Sequence, residues 1–112
     1  MDLVNQQQAL LKQLSATINE LEANGRELAQ KEMDYKIVLN QHILTLRENG
    51  TAVTLIDKVA YGIKEVAQKR LERDIAETMY NVAREKINGI KLKIRINEEQ
   101  IKREWSHASQ GV

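Results

Sequence analysis

Two histidines, His42 and His107, are the first candidates for catalysis, because histidine is the residue most used for acid–base chemistry and metal binding. Neither has a second histidine at metal-ligand spacing, and the chain has no cysteine, which excludes thiol nucleophiles and cysteine-based zinc sites. Glu98 and Glu99 are adjacent, so on a helix they point in different directions. The sequence has no phosphate-binding glycine loop and no Gly-x-Ser-x-Gly motif. We therefore expect no enzymatic activity, no metal and no cofactor.

The composition is that of a small soluble protein. The 112 residues include 17 Lys and Arg against 16 Asp and Glu, with 29% charged and 42% hydrophobic residues. Such a chain folds as one domain, and we assign residues 1–112 to it. No apolar run approaches the roughly 20 residues that a membrane span needs, and residues 1–5 lack the pattern of a secretory signal. We therefore expect a cytoplasmic location and no membrane contact.

The pattern between the chain start and Gly50 predicts a long helix. The chain has no proline and only 5 glycines, so helix breakers are rare. A stripe of mostly apolar residues steps alternately by three and four, as in a coiled coil. The helix should cover about residues 3–48 and end at Glu48-Asn49-Gly50. The stripe consists of Leu11, Leu14, Ile18, Leu21, Gly25, Leu28, Glu32, Tyr35, Leu39, His42 and Leu46.

The rest of the chain predicts a connector and a second long helix. Residues 49–63 form the connector, with a short helix at about 54–61 that ends near Gly62. A second helix follows at about 64–104, and we expect the polar tail 106–112 to fray. Its apolar face should comprise Ala67, Leu71, Ile75, Met79, Val82, Ala83, Ile87, Ile90, Ile94, Asn97, Ile101 and Trp105.

Two long helices of similar length predict an all-α fold, a coiled-coil-like antiparallel hairpin in which position i faces about position 112 minus i. A two-helix hairpin buries only one stripe per helix, which leaves apolar surface for a partner. We therefore expect an oligomeric helix bundle, with a two-fold dimer as the simplest form.

Four residues within the predicted seams do not fit an apolar contact: Gly25, Glu32, His42 and Asn97. Polar residues at such positions set register or oligomer state in coiled coils. We interpret His42 in particular as a partly buried histidine with a polar partner, and this interpretation is favoured over a catalytic role.

The tip of the hairpin and the only tryptophan are candidates for protein contact, since apolar residues at a turn commonly present themselves to a partner. The tip residues could instead pack inward and close the bundle. Trp105 could cap the core or anchor a partner. The candidate protein-binding residues are Val53, Leu55, Ile56, Tyr61 and Trp105.

A stripe of basic residues on the second helix is the candidate nucleic-acid site. Residues 64–112 hold 11 Lys and Arg against 8 Asp and Glu, and six of these basic residues share one helix face. Such a stripe could follow a phosphate backbone, or it could pair with acids of the first helix such as Glu20, Glu22 and Glu27. The basic stripe consists of Arg70, Arg73, Arg84, Lys91, Arg95 and Lys102.

Four segments carry a resemblance to a known group of proteins: residues 46–56, the pair Tyr61-Gly62, residues 72–77 and residues 102–105. Over residues 33–105 the chain resembles small, uncharacterised helical proteins encoded by phages, prophages and mobile elements of Gram-positive bacteria. The resemblance implies an accessory protein of the host cytoplasm that acts in DNA replication and recombination or binds a host factor. It transfers no functional residue.

The sequence thus favours a non-enzymatic, oligomeric interaction protein that binds a protein partner. The first alternative is a nucleic-acid-binding accessory protein of phage replication or recombination that uses the basic stripe. The second is a structural scaffold, which predicts self-assembly beyond a small closed oligomer.

Overall fold

A computed structural model describes residues 2–110 of the chain, with side chains to residue 108. This part consists of three α-helices and contains no strand: α1 spans Leu3–Glu48, α2 spans Val53–Gly62 and α3 spans Lys64–Gln110. The all-α prediction is confirmed, and α1 has the predicted limits. α3 extends past its predicted end at about residue 104 and continues through Ser106–Gln110, and the fraying of this segment stays a prediction. Gly111 and Val112 lie outside the described residues.

The helices form two compact units, and both long helices contribute to each. The terminal unit combines α1 up to Glu22 with α3 from Asn81 onward, and the central unit comprises Ala23–Tyr80. Within each unit α1 and α3 pack together in antiparallel directions. That the two units form one domain stays a prediction. None of the helices in the described part has a stretch long and apolar enough to cross a membrane.

A glycine ends α1 as the sequence predicts. Gly50 has a φ of +80°, and its N–H donates to the carbonyl of Arg47 at 3.1 Å. The N–H of Thr51 donates to the carbonyl of Leu46 at 3.0 Å, which completes a Schellman motif. The turn therefore gives the carbonyls of Leu46 and Arg47 hydrogen-bond partners at the end of α1.

Replacing Gly50 tests this end of the helix. Gly50→Ala should lower the free energy of unfolding by about 1 kcal/mol, because a Cβ is strained at positive φ. Gly89→Ala is the control: Gly89 lies inside α3 with no atom within 4 Å of an added Cβ, so alanine should stabilise the protein by about 1 kcal/mol. Urea unfolding of both variants measures the two signs, and a stabilising Gly50→Ala would contradict the motif.

The observed register differs from the predicted one in both units. In the central unit His42 contacts Glu65, where the prediction places Arg70. In the terminal unit Asn97 contacts Leu3, where the prediction places Ser15. The prediction assumed that α1 and α3 end level at the connector. Instead α1 continues past the start of α3, and α2 buries Ile56 and Ala60 at this end of the central unit.

The predicted seam of α1 is correct at eight of its eleven positions. The seam residues that are half-buried or buried are Leu14, Leu21, Gly25, Leu28, Tyr35, Leu39, His42 and Leu46. Leu11, Ile18 and Glu32 are exposed instead. The half-buried or buried positions one residue before the seam are Leu10, Thr17, Asn24, Lys31 and Val38.

The predicted apolar face of α3 is correct for most of its residues in the terminal unit, although Val82 and Trp105 are exposed there. There Ala83, Ile87, Ile90 and Asn97 are buried. In the central unit Val66 and Ala76 are buried instead of the predicted residues. The predicted residues that are exposed are Leu71, Ile75, Met79, Val82 and Trp105.

Candidate interaction surfaces

His42 has the environment that the sequence predicts. Its ring is partly buried, and Nε2 lies 2.9 Å from Oε2 of Glu65, so the pair bridges α1 and α3. In the part of the chain that the structure describes, no group of three or more His, Cys, Asp or Glu residues could hold a metal ion.

The connector exposes most of the predicted tip residues. Val53 is 86% exposed, and Leu55, Val59 and Tyr61 are also exposed, although α2 has only ten residues. We call these four residues the tip surface. Ile56 is 4% exposed and belongs to the core of the central unit, so its assignment to a contact surface is wrong. α2 buries Ile56 and Ala60 against the central unit, and the four residues of the tip surface stay exposed on its flanks and at its ends.

Two residues of the basic stripe lie against aromatic rings. The guanidinium carbon of Arg70 lies 5.6 Å from the ring centre of Tyr61, and that of Arg73 lies 4.7 Å from the ring centre of Tyr35. Arg73 also donates to Asp74 at 2.8 Å, and this hydrogen bond raises the pKa of Arg73 above its ordinary value. These two arginines therefore have roles inside the central unit.

The remaining four residues of the basic stripe belong to the terminal unit. Arg84 has an interaction within the protein, and Lys102 lies 3.7 Å from Glu99. Lys91 and Arg95 are exposed, and neither has an ion pair or hydrogen bond to another described residue. The acids of α1 were expected to meet this stripe, but Glu20 contacts Lys86 instead, at 3.4 Å.

A groove in the central unit was missed by the sequence analysis. Ile75, Ala76 and Met79 line it from α3, and Glu27, Lys31 and Glu72 contribute charges of both signs. The groove exists because Ile75 and Met79 remain exposed beside the helix contact. Their spacing of four is a signal that the sequence analysis assigned to the core.

A second groove lies in the terminal unit, where Trp105 is 72% exposed. Trp105 and Val4 line this groove together with Leu3 and Ile101. Trp105 therefore stands beside the first turn of α1 without being covered by it.

A buried amide network fixes α1 against α3 in the terminal unit. Nδ2 of Asn97 donates to the carbonyl of Leu3 at 2.9 Å and to Oε1 of Gln7 at 2.8 Å. Nε2 of Gln7 in turn lies 3.5 Å from the carbonyl of Ile94 and 3.4 Å from Oε1 of Glu98. The network supports the interpretation of Asn97 as a residue that sets the register.

Gly25 contacts an aromatic ring of α3 in the central unit. An added Cβ at Gly25 would lie 3.3 Å from Cε1 of Tyr80, so this glycine lets the ring approach α1 in the central unit.

Comparison with known proteins adds no assignment: no protein-family model matches the chain, and neither a curated protein nor a solved structure does.

Proposed function

We propose that the protein is a non-enzymatic accessory protein of phage or mobile-element type that self-associates and binds a protein partner in the host cytoplasm. The tip surface carries this proposal: four apolar side chains are exposed on a helix of ten residues. Apolar residues exposed at a turn are commonly presented to a protein partner. The phage-type origin rests on the sequence resemblance over residues 33–105.

The excess of exposed over buried apolar side chains separately supports self-association. Among the described residues seventeen large apolar side chains are exposed, whereas eight hydrophobic residues are buried and three of those are alanines. The central groove suits a second copy because Glu27, Lys31 and Glu72 give its edge both signs of charge, so two copies need not repel. Light scattering should then give twice the chain mass of 12.9 kDa.

Site-specific cross-linking tests the tip surface. A photo-reactive amino acid in place of Val53, exposed to a Gram-positive cell extract, should give one discrete protein adduct. The same group at Gln68, an exposed polar position of the central unit, should give none. Adding Leu55→Glu to the Val53 reporter should lower the yield more than about tenfold, since losing an apolar anchor costs about 2 kcal/mol.

Three results would argue against this proposed function. Equal adducts from Val53 and Gln68 would mean that the tip surface has no preferred partner. Salt-sensitive binding of duplex or single-stranded DNA, lost on Lys91→Ala, would favour the nucleic-acid alternative. A mass that grows without limit with concentration would favour a scaffold.

A further inference from the structure

We propose that the terminal unit carries a second binding surface and that its ligand is an acidic amphipathic helix of a partner protein. The surface goes beyond the tip surface, which belongs to the central unit. We call it the terminal face, and its two rows of residues are Val4, Leu11 and Ile18 on α1 and Lys91, Glu98 and Trp105 on α3.

The α1 row is apolar and unpartnered. Val4, Leu11 and Ile18 follow one another at intervals of seven residues, close to two helical turns, so they lie along one side of α1. All three are exposed, because α3 covers the neighbouring row instead. The row is about 21 Å long at the standard rise, which is four turns of a ligand helix.

Two contacts place the α3 row on the same side of the unit. Trp105 and Val4 line one groove. Oε1 of Glu98 lies 3.4 Å from Nε2 of Gln7, within the turn of α1 that separates Val4 from Leu11. Lys91, Glu98 and Trp105 also repeat at intervals of seven, and the helices run antiparallel. Trp105 therefore lies beside Val4, and Glu98 lies at the level of Gln7, between Val4 and Leu11. Lys91, two turns earlier on α3, then lies between the levels of Leu11 and Ile18.

The edges of the terminal face differ in charge. On the α3 side, Lys91 and Arg95 are exposed and have no ion pair among the described residues, and the row's own acid, Glu98, is hydrogen-bonded by Gln7. On the α1 side, the sequence from Leu3 to Asn19 contains a single charged residue, Lys12. The face thus combines an apolar centre with a positive edge around Lys91 and Arg95, while Glu104 lines the groove at the Trp105 end.

The apolar centre and the positive edge of the terminal face together match an acidic amphipathic helix. An amphipathic helix with apolar residues at intervals of three and four fills such a row, and acidic residues on its flank meet Lys91 and Arg95. A second copy of the chain would offer Lys91 and Arg95 few acids on this face: Glu98, which Gln7 already hydrogen-bonds, and Glu104 at the Trp105 end. A nucleic acid would use the lysine and arginine, but it would leave the aliphatic side chains of Val4, Leu11 and Ile18 without a counterpart.

The test uses the full-length protein and a fluorescent synthetic peptide of about 21 residues, with leucine at intervals of three and four and glutamate on the flanking positions. Fluorescence anisotropy should show binding in the micromolar range, about −8 kcal/mol, that weakens with salt. A scrambled peptide of the same composition should bind at least about tenfold more weakly. Lys91→Glu combined with Arg95→Glu, and Leu11→Asp alone, should each weaken binding by at least about tenfold.

Matched variants separate the terminal face from net charge and from the tip surface. Lys93→Glu makes the same charge change as Lys91→Glu alone, also on an exposed residue of α3, but Lys93 shares a groove with Gln6, which lies on the opposite side of α1 from Val4. Lys93→Glu and Leu55→Glu should leave binding unchanged. Circular dichroism at each variant's working temperature checks that the fold is retained.

Three results would overturn the proposal. They are absence of peptide binding at about 100 µM, equal loss with Lys93→Glu and Lys91→Glu, and Lys91-dependent binding of a DNA duplex without binding of the peptide. Because Leu55 belongs to the central unit, loss of peptide binding with an intact tip cross-link, or the reverse, assigns each failure to its own surface.

Discussion

Ile90→Ala is expected to destabilise the protein by about 2–4 kcal/mol, because the side chain is 4% exposed in the terminal unit and its removal leaves a cavity between the helices. The effect is large for this fold, since the described core contains few large side chains and Val66 is the largest that is fully buried. Urea unfolding followed by circular dichroism measures the change. Equal protein concentrations are needed, because an associating protein has a concentration-dependent midpoint.

Ile96→Ala is the matched control for Ile90→Ala. It makes the same change six positions later on α3, where the side chain is 51% exposed. The expected cost is below about 1 kcal/mol, since little apolar area leaves the protein interior. An equal cost at the two positions would contradict the burial described here and would place Ile96 in a contact between copies.

The helices were predictable because their limits are local. The glycine at residue 50 ends α1 through backbone hydrogen bonds to Leu46 and Arg47, which are near neighbours in sequence. Long stretches without proline leave few other places where a helix could stop. The end of α3 was predicted too early because the polar composition after Trp105 was taken as a stop, although it contains no helix breaker before Gln110.

The face of α1 that meets α3 could not be predicted, because two neighbouring rows share the same heptad. Leu14, Leu21 and Leu28 can lie in the contact together with either neighbouring row. The sequence favours the row that contains Leu11 and Ile18, because it is the more apolar of the two. The structure uses the more polar row, with Thr17 donating to the carbonyl of Gln13 at 2.8 Å and Asn24 donating to the carbonyl of Met79 at 3.2 Å. Side-chain hydrogen bonds to backbone make this row tolerable and leave an apolar row outside.

The candidate surfaces were predictable only in part. For Val53 and Leu55 the sequence left open exposure at a turn or inward packing, and the structure exposes both. The burial of Ile56 depends on how α2 rotates against the central unit, which no local pattern specifies. The contact of Arg70 with Tyr61 joins two residues that the sequence analysis had assigned to different ligands. The terminal face could not be predicted, because the sequence pattern places Leu11 and Ile18 in the helix contact, whereas the structure exposes them.

Asn97→Asp is expected to cost about 2–3 kcal/mol at pH 7, although it changes the shape of the side chain little. Asn97 is buried, and its Nδ2 donates to the carbonyl of Leu3 and to Oε1 of Gln7 at 2.9 and 2.8 Å. A carboxylate has no hydrogen to donate, so it would place acceptors against acceptors. Rotating the Gln7 amide would not repair this, because its Nε2 faces the carbonyl of Ile94.

The pH dependence of this cost identifies its cause. At pH 4 a larger share of the introduced carboxyl groups is protonated and can donate one hydrogen bond, so the cost relative to the unmodified protein at the same pH should fall. Asn88→Asp makes the same change at an exposed position of α3 and should cost less than about 0.5 kcal/mol at either pH. Urea unfolding at both pH values measures all three proteins. A cost at Asn97 that is small, or the same at pH 4 and pH 7, would show that the amide network does not hold the register, and the contacts of Val4 and Glu98 that define the terminal face would then need another source of alignment.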